Sequence, residues 1–313
     1  MSTYNFLLAA ILCISNANAQ EIKTQDYLPL TDLKDFQLKG KVREVISTVK
    51  DTKGNTTTLP FVDHEYYDQI KYEFDSKGKL TKKTNYLDYR KKLGVYSFTD
   101  YSYSNGKISQ QITTVLNNGE DPKRIATDKQ FVYNSKGQIL SIAEKVKSKT
   151  SSTSYQTDFD YLPILQQITT KTDGVLSSKN QLYYNKKGLL IKEETLSFDG
   201  KKGLIKYFVY NGNQPVYQEE LVNKSTSITF LDASTNQTKY QQFDNNKNLK
   251  LEITKDKNNE IIGIKNQTFR NGKSQLDIYT ISYTFDAAGN WTKAVINQDN
   301  QLKYNISREI IYN

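Results

Sequence analysis

Between Lys71 and Thr81 the chain reads KYEFDSKGKLT. Tyr72 and Phe74 alternate with Lys71 and Glu73, the two-residue period of a strand with one buried and one wetted face. Asp75-Ser76-Lys77-Gly78 predicts a tight turn. The aspartate is suited to accept backbone N–H groups of the turn, and the glycine supplies the positive φ that a short hairpin loop needs. Leu80 resumes the apolar face on the return strand.

The same grammar recurs at Phe131–Ile139, Leu182–Leu190 and Tyr283–Trp291. Shorter copies place Asn-Gly at the turn, at Asn105-Gly106, Asn211-Gly212 and Asn271-Gly272. That dipeptide is a strong signal for a two-residue hairpin, because both central positions need positive φ. The aromatic residue before each turn falls at Phe74, Tyr103, Tyr133, Tyr161, Tyr184, Tyr210, Phe243, Phe269 and Phe285. Most steps are 23 to 30 residues, with outliers of 33 and 16. Secondary turn signals lie between, at Asp51–Gly54, Asn117–Gly119, Thr172–Gly174, Phe198–Gly200 and Gln298–Asn300. A period in this range means a repeat architecture. The fold predicted is all-β: a long antiparallel meander of tandem β-hairpins, forming a curled or twisted open sheet or a partly closed shell. The charged segment Asn117–Lys129, with Pro122, is expected to protrude as a loop.

Composition refines this picture. Only 36% of the 313 residues are hydrophobic, which argues against one large globular core, yet 23 Tyr and 13 Phe argue against disorder. Tyrosine suits a thin sheet, burying a ring while its hydroxyl stays wet. The net charge of +9 comes almost wholly from lysine, with only five arginines, Arg43, Arg90, Arg124, Arg270 and Arg308. Nucleic-acid recognition favours the arginine fork, so lysine on alternate strand positions reads as a solvated face that blocks edge-to-edge aggregation. No nucleic-acid partner is expected.

Residues 1–19 read as a secretory signal peptide. Phe6–Ile14 is an apolar run too short to cross a bilayer, and Ala17-Asn18-Ala19 is a small-x-small cleavage site that puts the mature start at Gln20. The segment before the apolar run lacks the usual Lys or Arg. The only cysteine, Cys13, lies inside it, and Leu12 stands where lipoprotein processing wants a small residue. Cleavage after Ala19 leaves no disulfide, thiol nucleophile or thiolate metal site. Residues 20–39 form an N-terminal leader, in which Thr31 is expected to cap one helical turn over Thr31–Phe36. Residues 40–313 are the repeat array, with no separate effector domain expected after it. The chain is expected to be exported to the periplasm, cell surface or medium, without spanning the membrane.

No constellation in the array predicts catalysis. His64 is the only histidine, so neither a Ser–His–Asp system beside a nucleophile elbow nor a zinc site of several ligands is specified. The recurrent acids Asp75 and Asp286 are explained by turn hydrogen bonding, and no calcium-type acidic cluster or phosphate-binding glycine loop is found. No cofactor and no metal are expected. A two-carboxylate glycosidase is not excluded by composition, but nothing singles out a pair. Two aromatic concentrations are the candidate ligand-binding residues: Tyr66 and Tyr67 near Tyr72 and Phe74, and Trp291 with Phe285 and Tyr283. Aromatic platforms stack on sugars or anchor protein partners; as cross-strand pairs they instead stabilise the sheet.

The Tyr/Phe-x-Tyr/Phe-Asp/Asn-x-x-Gly-x-Leu/Ile unit resembles the tyrosine–aspartate, or RHS-type, repeats of bacterial cell-surface and toxin-shell proteins, and is similar to MORN-type hairpins. The resemblance spans roughly Lys41 to Asn313. Leu38–Val45 near the start, and Phe285–Lys293 followed by Ile306–Ile310, resemble exported Gram-negative envelope proteins described as RHS-repeat or sugar-binding-like. The resemblance implies a curled antiparallel sheet, sometimes closed into a shell, and no catalysis by the repeats. With about nine units, and without the toxin and autoproteolytic regions of the large shells, the chain is expected to favour the open, curled form. The function expected is that of an exported non-catalytic protein binding a glycan or protein partner of the envelope. The alternative is a structural or toxin-immunity protein of the envelope, and the third reading is the carboxylate glycosidase.

Overall fold

The computed structural model describes residues 27–313 except 56, 58–67, 90–91, 118–120, 149, 163, 198–201, 212–213, 221–224, 233–234, 259 and 271–272. The expected meander is present as twenty antiparallel strands. The first ten are β1 (Val42–Asp51), β2 (Gln69–Phe74), β3 (Leu80–Tyr89), β4 (Lys92–Ser104), β5 (Lys107–Asn117), β6 (Asp121–Tyr133), β7 (Ile139–Ser148), β8 (Ser152–Tyr161), β9 (Leu165–Thr172) and β10 (Val175–Tyr184). The second ten are β11 (Leu190–Ser197), β12 (Lys202–Asn211), β13 (Gln214–Glu220), β14 (Ser225–Asp232), β15 (Gln237–Phe243), β16 (Leu249–Lys255), β17 (Ile261–Arg270), β18 (Lys273–Phe285), β19 (Trp291–Gln298) and β20 (Gln301–Tyr312).

Each strand pairs with the next in sequence, and β1 also pairs with β20, from Val42↔Tyr312 to Asp51↔Tyr304. The sheet is therefore a closed barrel. Of the forms left open by the repeat pattern, closure is adopted because an even number of antiparallel strands brings the first and last strands side by side in the direction they need. Closure leaves no strand edge for another chain to extend.

The turns follow the predicted chemistry. Asp75 Oδ1 accepts the backbone N–H groups of Lys77 at 2.8 Å and Lys79 at 2.9 Å, and Gly78 has φ +77°. Asn134, Asn185 and Asp286 play the aspartate's part at Gln138, Leu189 and Asn290. Asn105 and Gly106 both take positive φ, as the two-residue turn requires.

Two sequence expectations change. The segment expected to protrude, Asn117–Lys129, enters β6 at Asp121, where Thr127 and Lys129 pair with Thr113 and Gln111 of β5. Asp128 and Lys129 fall on opposite faces of a strand paired on both sides, so polarity here marks a strand with polar groups on both faces rather than a loop. Second, Thr31–Phe36 forms no helix: Asp32 bridges antiparallel to Lys79, and Leu33–Gln37 forms successive turns. The cap is acidic: Asp35 Oδ2 accepts the N–H groups of Thr31 and Asp32, and Asp32 Oδ1 accepts that of Lys34. The Thr31 carbonyl is used elsewhere, accepting from Leu80 N at 2.7 Å and from the Tyr103 hydroxyl.

The irregular spacing of the repeats also has a structural meaning. Steps of 23 to 30 residues cover two strands and return to the same end of the barrel. The step from Tyr210 to Phe243 covers three strands, and that from Phe269 to Phe285 covers one. Phe243 and Phe269 therefore stand at the opposite end from the other seven aromatics.

One sheet face carries the core. Val42, Leu80, Ile168, Leu182 and Ile296 are each at most 2% exposed, and tracing the register places them on one continuous face. Burial to this degree on the convex side of a curved sheet would need a covering layer, so this face lines the lumen. The core is densest at the end bearing the Asp75, Asn134, Asn185 and Asp286 turns. There the leader enters it. Tyr27 packs edge-on to Phe159, with ring centroids 5.3 Å apart, and accepts a hydrogen bond from Asn180. Phe36 packs on Tyr72 and Phe74, and Leu33 lies against Gly78. Residues 27–39 thus plug one end. Farther from the plug, the inward positions turn polar. Asn85 bonds Ser97, Thr99 bonds Thr113, Lys129 pairs with Glu144 at 3.0 Å, and inward Tyr155 is 37% exposed.

Candidate functional site

The β18–β19 hairpin lies at the plugged end. Its turn, Asp286–Asn290, brings Phe285 opposite Trp291 across a bulge. This is the same relation that places Phe74 opposite Leu80, and both members face the lumen. Tyr283, two residues before Phe285, faces the same way. Its ring centroid lies 6.2 Å from Phe285 and 5.7 Å from Trp291, at tilted angles. The three aromatics singled out in the sequence are therefore brought together. Phe285 is 45% exposed at the rim, and Tyr283 is held by donating its hydroxyl to the Ile261 carbonyl at 2.8 Å. The other candidates, Tyr66 and Tyr67, and the lone His64, lie outside the described residues.

Trp291 is not a bare platform. The guanidinium carbon of Arg308, on neighbouring β20, lies 3.3 Å from the centroid of its ring. Arg308 pairs with Ser47 of β1 and points inward between Ile306 and Ile310. Its Nε is buried without a hydrogen-bond partner, and among the described residues no carboxylate lies within 4.0 Å of it. Glu260, in the β16–β17 turn, is the acid whose field reaches it. Burial pushes the arginine pKa down to about 10, partly offset by Tyr72, Glu260 and Tyr283. At neutral pH Arg308 keeps its charge. Burial pushes Glu260 up, against the lowering field of Arg308, and pushes Tyr283 up as well.

The leader closes over this hairpin. Asn290, only 3% exposed, accepts the Lys39 N–H and donates to the Lys39 carbonyl and the Tyr312 hydroxyl. Tyr312 in turn donates to Asp286. The arrangement offers a stacked cation and a run of aromatic rings reaching the rim. Arg308 escaped the sequence reading, although a signal was present. In Ile306-Ser307-Arg308-Glu309-Ile310 the two-residue period puts Arg308 on the apolar parity, where a charge needs a reason.

No family model matches the chain, and no curated protein matches it. Among solved structures it is similar to a porin-like protein from Bacteroides uniformis ATCC 8492, at 13% identity over 64% of this chain and 95% of that one, with a TM-score of 0.38. A porin-like protein from Bacteroides vulgatus ATCC 8482 matches at 13% identity over 87% of this chain and 98% of that one, with a TM-score of 0.26. A crystal structure of TcdB2-TccC3-Cdc42 matches at 12% identity over 75% of this chain but 19% of that one, with a TM-score of 0.25. Each likeness is remote.

Proposed function

We propose that this chain is an exported, non-catalytic β-shell of the cell envelope that binds a partner molecule at its plugged end. The observation carrying this reading is the continuous aromatic run from exposed Phe285 through Tyr283 to Trp291, ending on the Arg308 cation. Phe285, 45% exposed, gives this run an end that a ligand can reach. The partner is an envelope glycan or protein.

The barrel stands in water rather than lipid. A membrane barrel carries an outward apolar band, and a Lys at the bilayer midplane costs about 2–4 kcal/mol. Here the outward face, opposite in parity to the core, carries charged residues along the strands. Lys71 pairs with Glu44 at 2.7 Å, Lys265 with Glu252 at 2.8 Å and Lys192 with Glu194 at 2.9 Å.

The test is retention. Immobilised chain from Gln20 is exposed to envelope extract, with and without protease treatment, alongside the Trp291→Ala variant. Retention that survives protease and falls for the variant supports a glycan at this site. Retention abolished by protease turns the reading to a protein partner, and with it the immunity or scaffold alternative. Retention indifferent to Trp291→Ala removes the site. Partition of the chain into a detergent phase would sink the aqueous reading.

A further inference from the structure

Arg308 needs an explanation that folding alone does not supply. A charge placed inside a barrel is costly unless it is paired. Its guanidinium is stacked on Trp291, its Nε is buried without a partner, and among the described residues its side chain makes neither a hydrogen bond nor an ion pair. By contrast, Lys129 meets Glu144 on the lumen side, and Lys71, Lys192 and Lys265 each meet a glutamate outside. Stacking on tryptophan satisfies the flat face of the guanidinium and leaves its edge, where all the N–H donors lie. That edge fits a planar carboxylate, which it binds through two parallel hydrogen bonds.

Resting on the binding reading above, we propose that the plugged-end site takes an acidic glycan, the Arg308 edge receiving the carboxylate of a uronic-acid unit while the sugar chain runs out along Tyr283 and Phe285. A carboxylate alone would need only the arginine. The rings leading from it to the exposed rim match the alternately apolar faces of a sugar chain. The net charge of +9 favours approach of a polyanion, and Lys39 lies close enough for its field to reach Glu260 within the same site.

The molecule carries its own reporter, because Trp291 is the only tryptophan in the chain. Its fluorescence is followed while the chain from Gln20 is titrated with an oligogalacturonate, with the neutral galactose oligomer of the same length, and with an oligoglutamate peptide. The expected result is a saturable change with oligogalacturonate, at least tenfold weaker with the neutral oligomer and with the peptide. Arg308→Lys, which keeps the charge and loses the fork, should weaken oligogalacturonate binding about tenfold, and Arg308→Gln should abolish the acidic preference. Circular dichroism checks that both variants are folded. If Arg308→Gln does not fold, Arg308→Lys and competition by free galacturonate on the native chain decide. Equal affinity for the acidic and neutral oligomers, unchanged by Arg308→Lys, overturns the anionic assignment and leaves the binding reading standing. Preference for the peptide overturns the glycan. No response to any of the three overturns the assignment of this site, and retention of envelope extract then tests the broader reading separately.

Discussion

Asn290 holds Lys39 as a neighbouring strand would: its Oδ1 accepts from the Lys39 N–H at 2.7 Å and its Nδ2 donates to the Lys39 carbonyl at 2.8 Å. One side-chain amide thus satisfies both backbone groups of a residue 251 positions away in sequence. It ties the end of the leader to the turn that carries Trp291.

Asn290→Ala should therefore release the plug before it unfolds the barrel. The Lys39 backbone loses both side-chain partners, at about 0.5–1.5 kcal/mol for each hydrogen bond lost. Limited proteolysis should cut the leader faster than in the native chain, while the far-ultraviolet spectrum keeps its strand signature. Equal cleavage rates would show that the clasp contributes little.

Two glycines separate turn strain from plug packing. Gly78 and Gly106 have nearly the same φ, +77° and +75°. A Cβ at Gly106 meets nothing within 4 Å, whereas at Gly78 it would stand 3.0 Å from Leu33 Cδ1. Gly106→Ala should cost about 1–2 kcal/mol, the penalty of the left-handed conformation. Gly78→Ala should cost more by the displacement of Leu33 from the lumen. Urea unfolding of the two variants measures the difference, and equal losses would mean that Leu33 moves aside freely.

Closure depends on β20. A chain ending at Asn300 lacks every partner of β1 on that side and leaves β1 and β19 as open edges. Such edges recruit other chains. Light scattering should find oligomers or aggregates where the full chain does not form them; a monodisperse truncated chain would show that the seam is dispensable.

Glu260 should make the fold less stable as pH rises. Burial raises its pKa above the ordinary value of 4.5, with Arg308 opposing the rise and Asp256 adding to it. The folded state therefore holds its proton more tightly than the unfolded chain. The associated stability is fully present below about 4.5 and is lost as pH climbs through the raised value. Glu260→Gln, which mimics the protonated form, should flatten this dependence and stabilise the chain at pH 7. Unfolding midpoints measured from pH 4 to 8 check the sign; a variant less stable at pH 7 would show that the ionised carboxylate is needed by Arg308.

What the sequence by itself determined is local. The alternation at Lys71–Phe74, the Asp and Asn residues that open the turns, and the glycines at positive φ specify strands and hairpins through interactions a few residues apart. Even the change of end is written in it, as the 33- and 16-residue steps. The gathering of Tyr283, Phe285 and Trp291 was legible for the same reason, since one hairpin holds all three. What only the tertiary structure decided spans the ring. That β1 meets β20 depends on strand count and curvature accumulated over twenty strands, because backbone pairing is nearly indifferent to which strand it joins. The place of Tyr27 and Phe36 inside the lumen follows from closure, which creates the interior they fill. The stacking of Arg308 on Trp291 depends on the register between β19 and β20. The alternating pattern marked Arg308 as a charge on the apolar face, and only the folded ring placed it against tryptophan with its edge free.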